Sequence, residues 1–419
     1  MGRKQKIAKA FLGLICLVLM MFTGGCSEFG FLHDKIRGDS EVEPVDLRVV
    51  SANTKFGFNL FNEIRKTEQD KNIFISPFSV SIALAMTLNG AAGETEQAMT
   101  NTLQLQGLSS ESINTGYAGL HQTLLTSDPK VTLTIANSLW ARQGVPFKQD
   151  FLQRNAEFFY AEISTLDFND PDASKTINEW VNTNTNGKIQ KIIDGSIDPA
   201  AVLFLINAIY FKGTWQTEFD PSKTQDSTFH LANGGEKQVP MMSRIGDYLY
   251  YENHEENFQA IGLPYGDERM SMYVFLPGRE SDLAVFLQNL NVENWENWIS
   301  QFGMQEVVLK VPKFKLEYRK GLNDTLKALG MGIAFVEDQA DFSRMSPLGK
   351  KLFIKDVLHK TFVEVNEEGT EAAAVTKVEI GVTSVPPPPP EFIADRPFFF
   401  AIRDNETKTV LFMGVVVEP

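Results

Sequence analysis

Cysteine is nearly absent from this 419-residue chain: Cys16 and Cys26 are the only two, and both lie near the N-terminus. Everything after them lacks a thiol nucleophile and a disulfide, so its stability must rest on its core. Histidine is sparse too. His33, His121, His230, His254 and His359 stand singly, and no spacing among them selects a metal site, so neither metal nor other cofactor is expected. There is no GxSxG elbow, no HExxH helix and no phosphate-cradling glycine loop. Acidic pairs such as Glu255–Glu256 and Glu367–Glu368 read as solvated surface charge rather than acid–base machinery. The chain is not expected to be an enzyme. Cations are also outnumbered, with a formal net charge of −14. Such a body repels phosphate backbones, which makes nucleic acid a poor partner.

What is plentiful is apolar surface. Hydrophobic residues make up 43% of the chain and aromatics 11%, enough to bury a large core and to exclude disorder over most of its length.

The first residues form a leader. Arg3, Lys4, Lys6 and Lys9 precede the apolar run AFLGLICLVLMMF, which ends in Thr23, Gly24, Gly25 and then Cys26. A cysteine after small residues suits lipoprotein processing, with 1–25 removed as a signal peptide and Cys26 acylated. Thr23 stands where an aliphatic residue is usual, and an uncleaved anchor or an ordinary signal peptide are the alternatives. Each version places the body outside the cytoplasm; the expectation is an extracellular, cell-surface lipoprotein tethered to a membrane through Cys26. Residues 27–46 are polar and aperiodic, a spacer.

From residue 47 to the end no linker or repeat appears, so one large domain is expected. Helical spacing marks segments 49–66, 94–104, 111–126, 147–160 and 172–186. Ser76 and Pro77 read as the N-cap and first residue of another helix. Strand-like runs occupy 131–141, 201–213, 270–277, 307–318, 358–369, 396–404 and 409–418. Helices gather early and strands late without alternation, which favours an α+β fold.

Between the strand runs near 360 and 400 lies EEGTEAAAVTKVEIGVTSVPPPPP, residues 367–390. A connection this long is uncommon inside a compact domain. Its first half alternates: Thr370, Ala372, Ala374, Thr376, Val378 and Ile380 are small and then apolar, whereas Glu371, Lys377 and Glu379 fall on the other parity. That is the pattern of a strand with one buried and one wet face.

This stretch resembles the hinge and reactive loop of the serpins. NIFISPFSVSIALAMTLNGAAGET (72–95), LINAIYFKGTW (205–215), ADFS (340–343), HKTFVEVNEEGTEAAA (359–374) and the segments from 396 to 419 stand in the family's order. The resemblance covers 47–419 and implies a single domain of about nine helices around three β-sheets, with an exposed reactive loop at about 368–390. It implies an inhibitor of serine endopeptidases, with cysteine endopeptidases as further targets, that is cleaved in the loop and traps the protease covalently as the loop enters the central sheet. A monomer is expected. The alternative within the family is a non-inhibitory member, a binding protein or plain substrate.

Counting from Glu367 along the family's hinge places the reactive bond at Thr383–Ser384, with Val382 and Ser384 as alternatives for the specificity position. Small side chains there suit elastase-like or subtilisin-like proteases. The hinge matches at Glu367, Gly369, Thr370, Glu371, Ala372, Ala373 and Ala374. Ser76, Ser79, Asn207 and His359 match a polar cluster where the central sheet opens, with Asn207 and His359 expected to hydrogen-bond across the opening. Trp215 matches the tryptophan at the top of that sheet. Lys313 and Glu367 match an ion pair at the loop's base.

Overall fold

The computed structural model describes residues 45–125, 128, 130–198, 200–279, 282–369 and 388–419. The leader, Cys26, the spacer up to residue 44 and loop residues 370–387 lie outside the described residues. Helices come first in the chain: α1 (Leu47–Arg65), α2 (Pro77–Leu88), α3 (Gly93–Thr102), α4 (Ser110–Leu125), α5 (Gln149–Phe159) and α6 (Ala173–Asn184). Three more follow, α7 (Leu283–Asn289), α8 (Val292–Ser300) and α9 (Asn323–Leu326). Among the described residues that makes nine α-helices in an α+β fold. Local chemistry starts several of them. The Asp46 carboxylate caps α1 by accepting from the Arg48 amide, and Ser76 caps α2 with Pro77 at its first position.

Among the described residues, fourteen strands form three hydrogen-bonded sheets. In chain order they are β1 (Ile73–Ile75), β2 (Val131–Arg142), β3 (Glu162–Leu166), β4 (Leu203–Gly213), β5 (Gln225–His230), β6 (Glu236–Asn253), β7 (Phe258–Pro264), β8 (Met270–Pro277), β9 (Gly303–Pro312), β10 (Phe314–Gly321), β11 (Leu358–Val365), β12 (Glu391–Ile393), β13 (Phe398–Asp404) and β14 (Val410–Val416). The largest sheet runs β1-β14-β13-β8-β7-β6-β9-β12, with β5 beside β6. Its centre carries much of the core: every residue of β8, β13 and β14 is buried.

The run at 307–318, which reads as one strand, is two. Lys313 separates β9 from β10, and the two belong to different sheets. Its amide donates to Pro240 O at 2.9 Å while Pro312 offers no N–H, so the ladder ends there.

The remaining strands make two small sheets, β3-β2-β4 and β10-β11. β4 and β11 run side by side. Among the described residues, no backbone ladder joins them. A second hydrophobic cluster covers this region. Ile177 and Val181 of α6, with Ile189 and Ile193 of the connector behind it, pack onto Trp140 of β2 and Ile206 of β4; Phe362 of β11 packs against its edge. The connector is also stitched to the far half by side chains. Lys188 lies 3.7 Å from Glu364 and over the Phe362 ring, Asp194 lies 2.6 Å from Arg319, and Asp198 pairs with Lys355.

Candidate functional site

The seam between β4 and β11 is closed at one end by a tight turn. Beyond β11, the Asn366 amide donates to Gly369 O (3.0 Å) and the Gly369 amide returns to Asn366 O (3.2 Å). Gly369 is thereby bridged antiparallel to Asn366 on one side and to Thr214, just past β4, on the other. The chain reverses between Asn366 and Gly369, at the end of the seam. Only glycine serves here. Its φ is +123°, and a β-carbon would lie 2.3 Å from Gly213 O and 2.6 Å from Trp215 N.

Other contacts hold the turn in place. The Trp215 amide donates to Glu368 O (3.0 Å), its indole N–H to Asn366 O (3.0 Å), and the Phe219 amide to Glu367 O (2.8 Å). The indole stacks on Tyr265 with centroids 4.4 Å apart. Glu367 receives Lys313 Nζ at 2.8 Å and Thr224 Oγ1 at 2.8 Å. Burial pulls this carboxyl upward, but the hydrogen bonds from Lys313, from the backbone and from Thr224 outweigh it and leave the group below its ordinary range. Thus Trp215, Lys313, Glu367 and Gly369 meet at one place.

The second cluster lies further along the seam. The Ser76 hydroxyl accepts from the Ser79 amide (3.2 Å) and donates to Leu411 O (2.7 Å). The Ser76 amide donates to His359 Nε2 at 3.0 Å, which puts the ring proton on Nδ1. Burial holds this imidazole neutral, with its pKa lowered to about 4. Thr361, two residues on, donates to Phe74 O. On the other side, Asn207 of β4 donates to Asn137 Oδ1 of β2 (2.6 Å), and Asn137 donates to Phe159 O (2.6 Å).

One expectation is corrected here. Asn207 and His359 do not bond across the seam. The Ser76 amide occupies His359 Nε2 and Asn137 occupies the Asn207 amide nitrogen, which leaves Asn207 Oδ1 buried without a partner. The cluster is two sets, one per half. Asn137 is a member the sequence reading missed, although it was visible: it shares the parity of Val131, Leu133, Ile135 and Leu139, a polar residue on a buried face. Thr224, Tyr265, Asn366 and Thr361 gave no such signal.

The loop's far end is anchored separately. Val308 N–H donates to Pro390 O at 3.0 Å, and β12 then runs parallel to β9. The Asp395 carboxylate takes Arg279 (2.5 Å) and Arg396 (2.8 Å), and its carbonyl accepts from the His230 amide (2.7 Å). Thr370, Glu371, Ala372, Ala373, Ala374, Thr383 and Ser384 lie outside the described residues.

A family model described as serpin (serine protease inhibitor) matches residues 51–419. The chain is a serpin. An uncharacterized serpin-like protein of Thermococcus kodakarensis is 35% identical to this serpin over 97% of the chain and 98% of the relative. A bovine leukocyte elastase inhibitor is 37% identical over 88% and 99%. Among solved structures, the thermophilic serpin tengpin in the native state superposes with a TM-score of 0.82 at 34% identity, covering 93% of this serpin and 99% of tengpin. Thyroxine-binding globulin in complex with thyroxine superposes at 0.79 with 30% identity, covering 88% and 99%. Relatives of this serpin therefore include a protein named as an elastase inhibitor and one solved in complex with thyroxine.

Proposed function

We propose that this serpin inhibits serine endopeptidases by covalent trapping, with cysteine endopeptidases as further targets. The observation that supports the reading is Gly369, bridged to Thr214 on one side and Asn366 on the other at the end of the unladdered seam between β4 and β11. A protease serine attacks the Thr383 carbonyl, the Ser384 amine leaves with a proton, and an acyl-enzyme remains on Thr383. Residues 370–383 then add as a strand between β4 and β11. Roughly a dozen backbone hydrogen bonds at about 1 kcal/mol net each, with burial of the apolar parity, drive the step. The starting fold is held from that state by a kinetic barrier. Small residues at 382–385 favour elastase-like or subtilisin-like targets. The leader supports a lipoprotein anchored through Cys26 on the outer side of a membrane.

The purified protein mixed with pancreatic elastase, a subtilisin and trypsin tests this. A band at the summed mass that survives denaturation, with a released peptide beginning at Ser384, is the expected result. Complete cleavage without such a band, for every protease, would instead favour the binding-protein reading that thyroxine-binding globulin exemplifies.

A further inference from the structure

We propose that the cleft between the β6–β7 hairpin and β12 is a binding site for a dipeptide-sized zwitterion, one end held by a guanidinium and the other by carboxylates. The cleft encloses about 280 Å³, near the lower end of the range for small-molecule sites. Three separate parts of the chain line it: the hairpin with Glu252, the end of β8 with Gly278 and Arg279, and β12 with Glu391 and Ile393.

Its walls are tied to one another. The Gly278 amide donates to Asn257 O at 2.7 Å, and a β-carbon on Gly278 would lie 2.1 Å from Asn257 Oδ1, so the hairpin tip sits tightly on the end of β8. Gln259 Nε2 donates to the Tyr250 hydroxyl (3.0 Å) and to Glu391 O (3.2 Å). The hydroxyl donates in turn to Glu252 Oε2 at 3.3 Å. One run of hydrogen bonds thus joins both carboxylate-bearing elements, and the cleft between them is held open in advance of any ligand.

Charge of both signs lines the cleft, on different elements. Arg279 and Arg396 share a single carboxylate, Asp395, at 2.5 and 2.8 Å, which leaves one positive charge over. Arg396 is mostly buried and donates to Pro277 O and Ile393 O as well. Arg279 is 61% exposed, and among the described residues only its Nη2 is engaged. Its remaining donors suit a carboxylate. Glu252 and Glu391 are exposed, and among the described residues neither meets a lysine or an arginine; Glu252 lies 3.7 Å from His254 Nδ1. These carboxylates repel a plain anion and Arg279 repels a plain cation. A short molecule with a carboxylate at one end and an ammonium at the other satisfies both, and Ile393 offers an apolar contact between them.

Titration calorimetry on the purified protein tests the site with alanylalanine as the probe. The expected dissociation constant is below about 1 mM. N-acetyl-alanylalanine lacks the ammonium and alanylalanine amide lacks the carboxylate, and each should bind at least about tenfold more weakly. Arg279→Gln should weaken alanylalanine about tenfold and leave the amide unaltered. The double change Glu252→Gln with Glu391→Gln should weaken it likewise and leave the acetylated form unaltered. Asp395 retains Arg396 in the first variant, and melting curves check that both variants fold. No heat with alanylalanine at about 10 mM, or equal affinity for all three peptides on the wild type, would overturn the site. The readout is binding alone, so its outcome is independent of whether the protein traps a protease.

Discussion

The backbone of Gly369 passes so close to Gly213 that a β-carbon on the first would lie 2.3 Å from the carbonyl oxygen of the second. This contact, with φ at +123°, fixes the turn at the end of the seam. Gly369→Ala should lower stability by about 2 kcal/mol through strain and clash. It should also raise the number of inhibitor molecules consumed per protease trapped, because the hinge starts out of line. Melting curves and titration against elastase check both; an unaltered titration would mean that the turn does not guide insertion.

Charge at the hinge has its own pH signature. The Glu367 carboxyl is held below its ordinary range, so its pairing with Lys313 contributes stability above the unfolded value near 4.5. That contribution is lost as pH falls through the lower folded value. Glu367→Gln should cost about 1 kcal/mol at neutral pH, and the gap to wild type should close in acid. A gap that persists at pH 2 would assign the loss to the Thr224 contact instead.

His359 titrates at the back of the seam. Its folded pKa of about 4 lies below the ordinary imidazole value of 6.5, so the unfolded chain takes up a proton first as pH drops. Relative to neutral pH, this group should remove about 3 kcal/mol of stability between pH 6.5 and 4. A His359→Gln variant should lack that portion of the slope in denaturant titrations. Identical slopes for the two proteins would show that folding leaves the ring's pKa unshifted.

The connector behind α6 should make insertion sensitive to salt. Lys188, Asp194 and Asp198 meet Glu364, Arg319 and Lys355 across the seam, and these half-exposed pairs weaken as ions screen them. Incorporation of a synthetic peptide of residues 370–383, followed by native gel, is expected to speed up several-fold from 50 mM to 500 mM salt. The combined variant Glu364→Gln, Arg319→Gln, Lys355→Gln should be fast at both. Equal wild-type rates at the two salt concentrations would remove the pairs from the barrier.

Much of this architecture is legible in the sequence where one face is buried along a whole element. The α1 spacing of Val50, Phe56, Leu60 and Ile64 and the capping Ser76 mark their helices plainly, and all four apolar residues are buried. β6 is not legible, because it changes partners along 18 residues, pairing first with β5 and β9 and then with β7. Met241 and Met242 are both buried, and that break in alternation hides the strand. At the site, the loop's base was readable because long motifs carry it. The division of the polar cluster was not, since it depends on which of two acceptors the Ser76 amide and the Asn207 side chain reach in three dimensions.

The order of strands in the large sheet has one more consequence, for the sequence of folding events. β14, ending at Val416, lies between β1 and β13, and Phe74 of β1 stacks against Phe400 and Phe412. β14 thus fills an interior place in the sheet, one in from the edge strand β1. Until it pairs, β1 has no neighbour and the rings of Phe74, Phe400 and Phe412 have no frame to stack on, so contacts between residues far apart in sequence must form before this edge of the sheet closes.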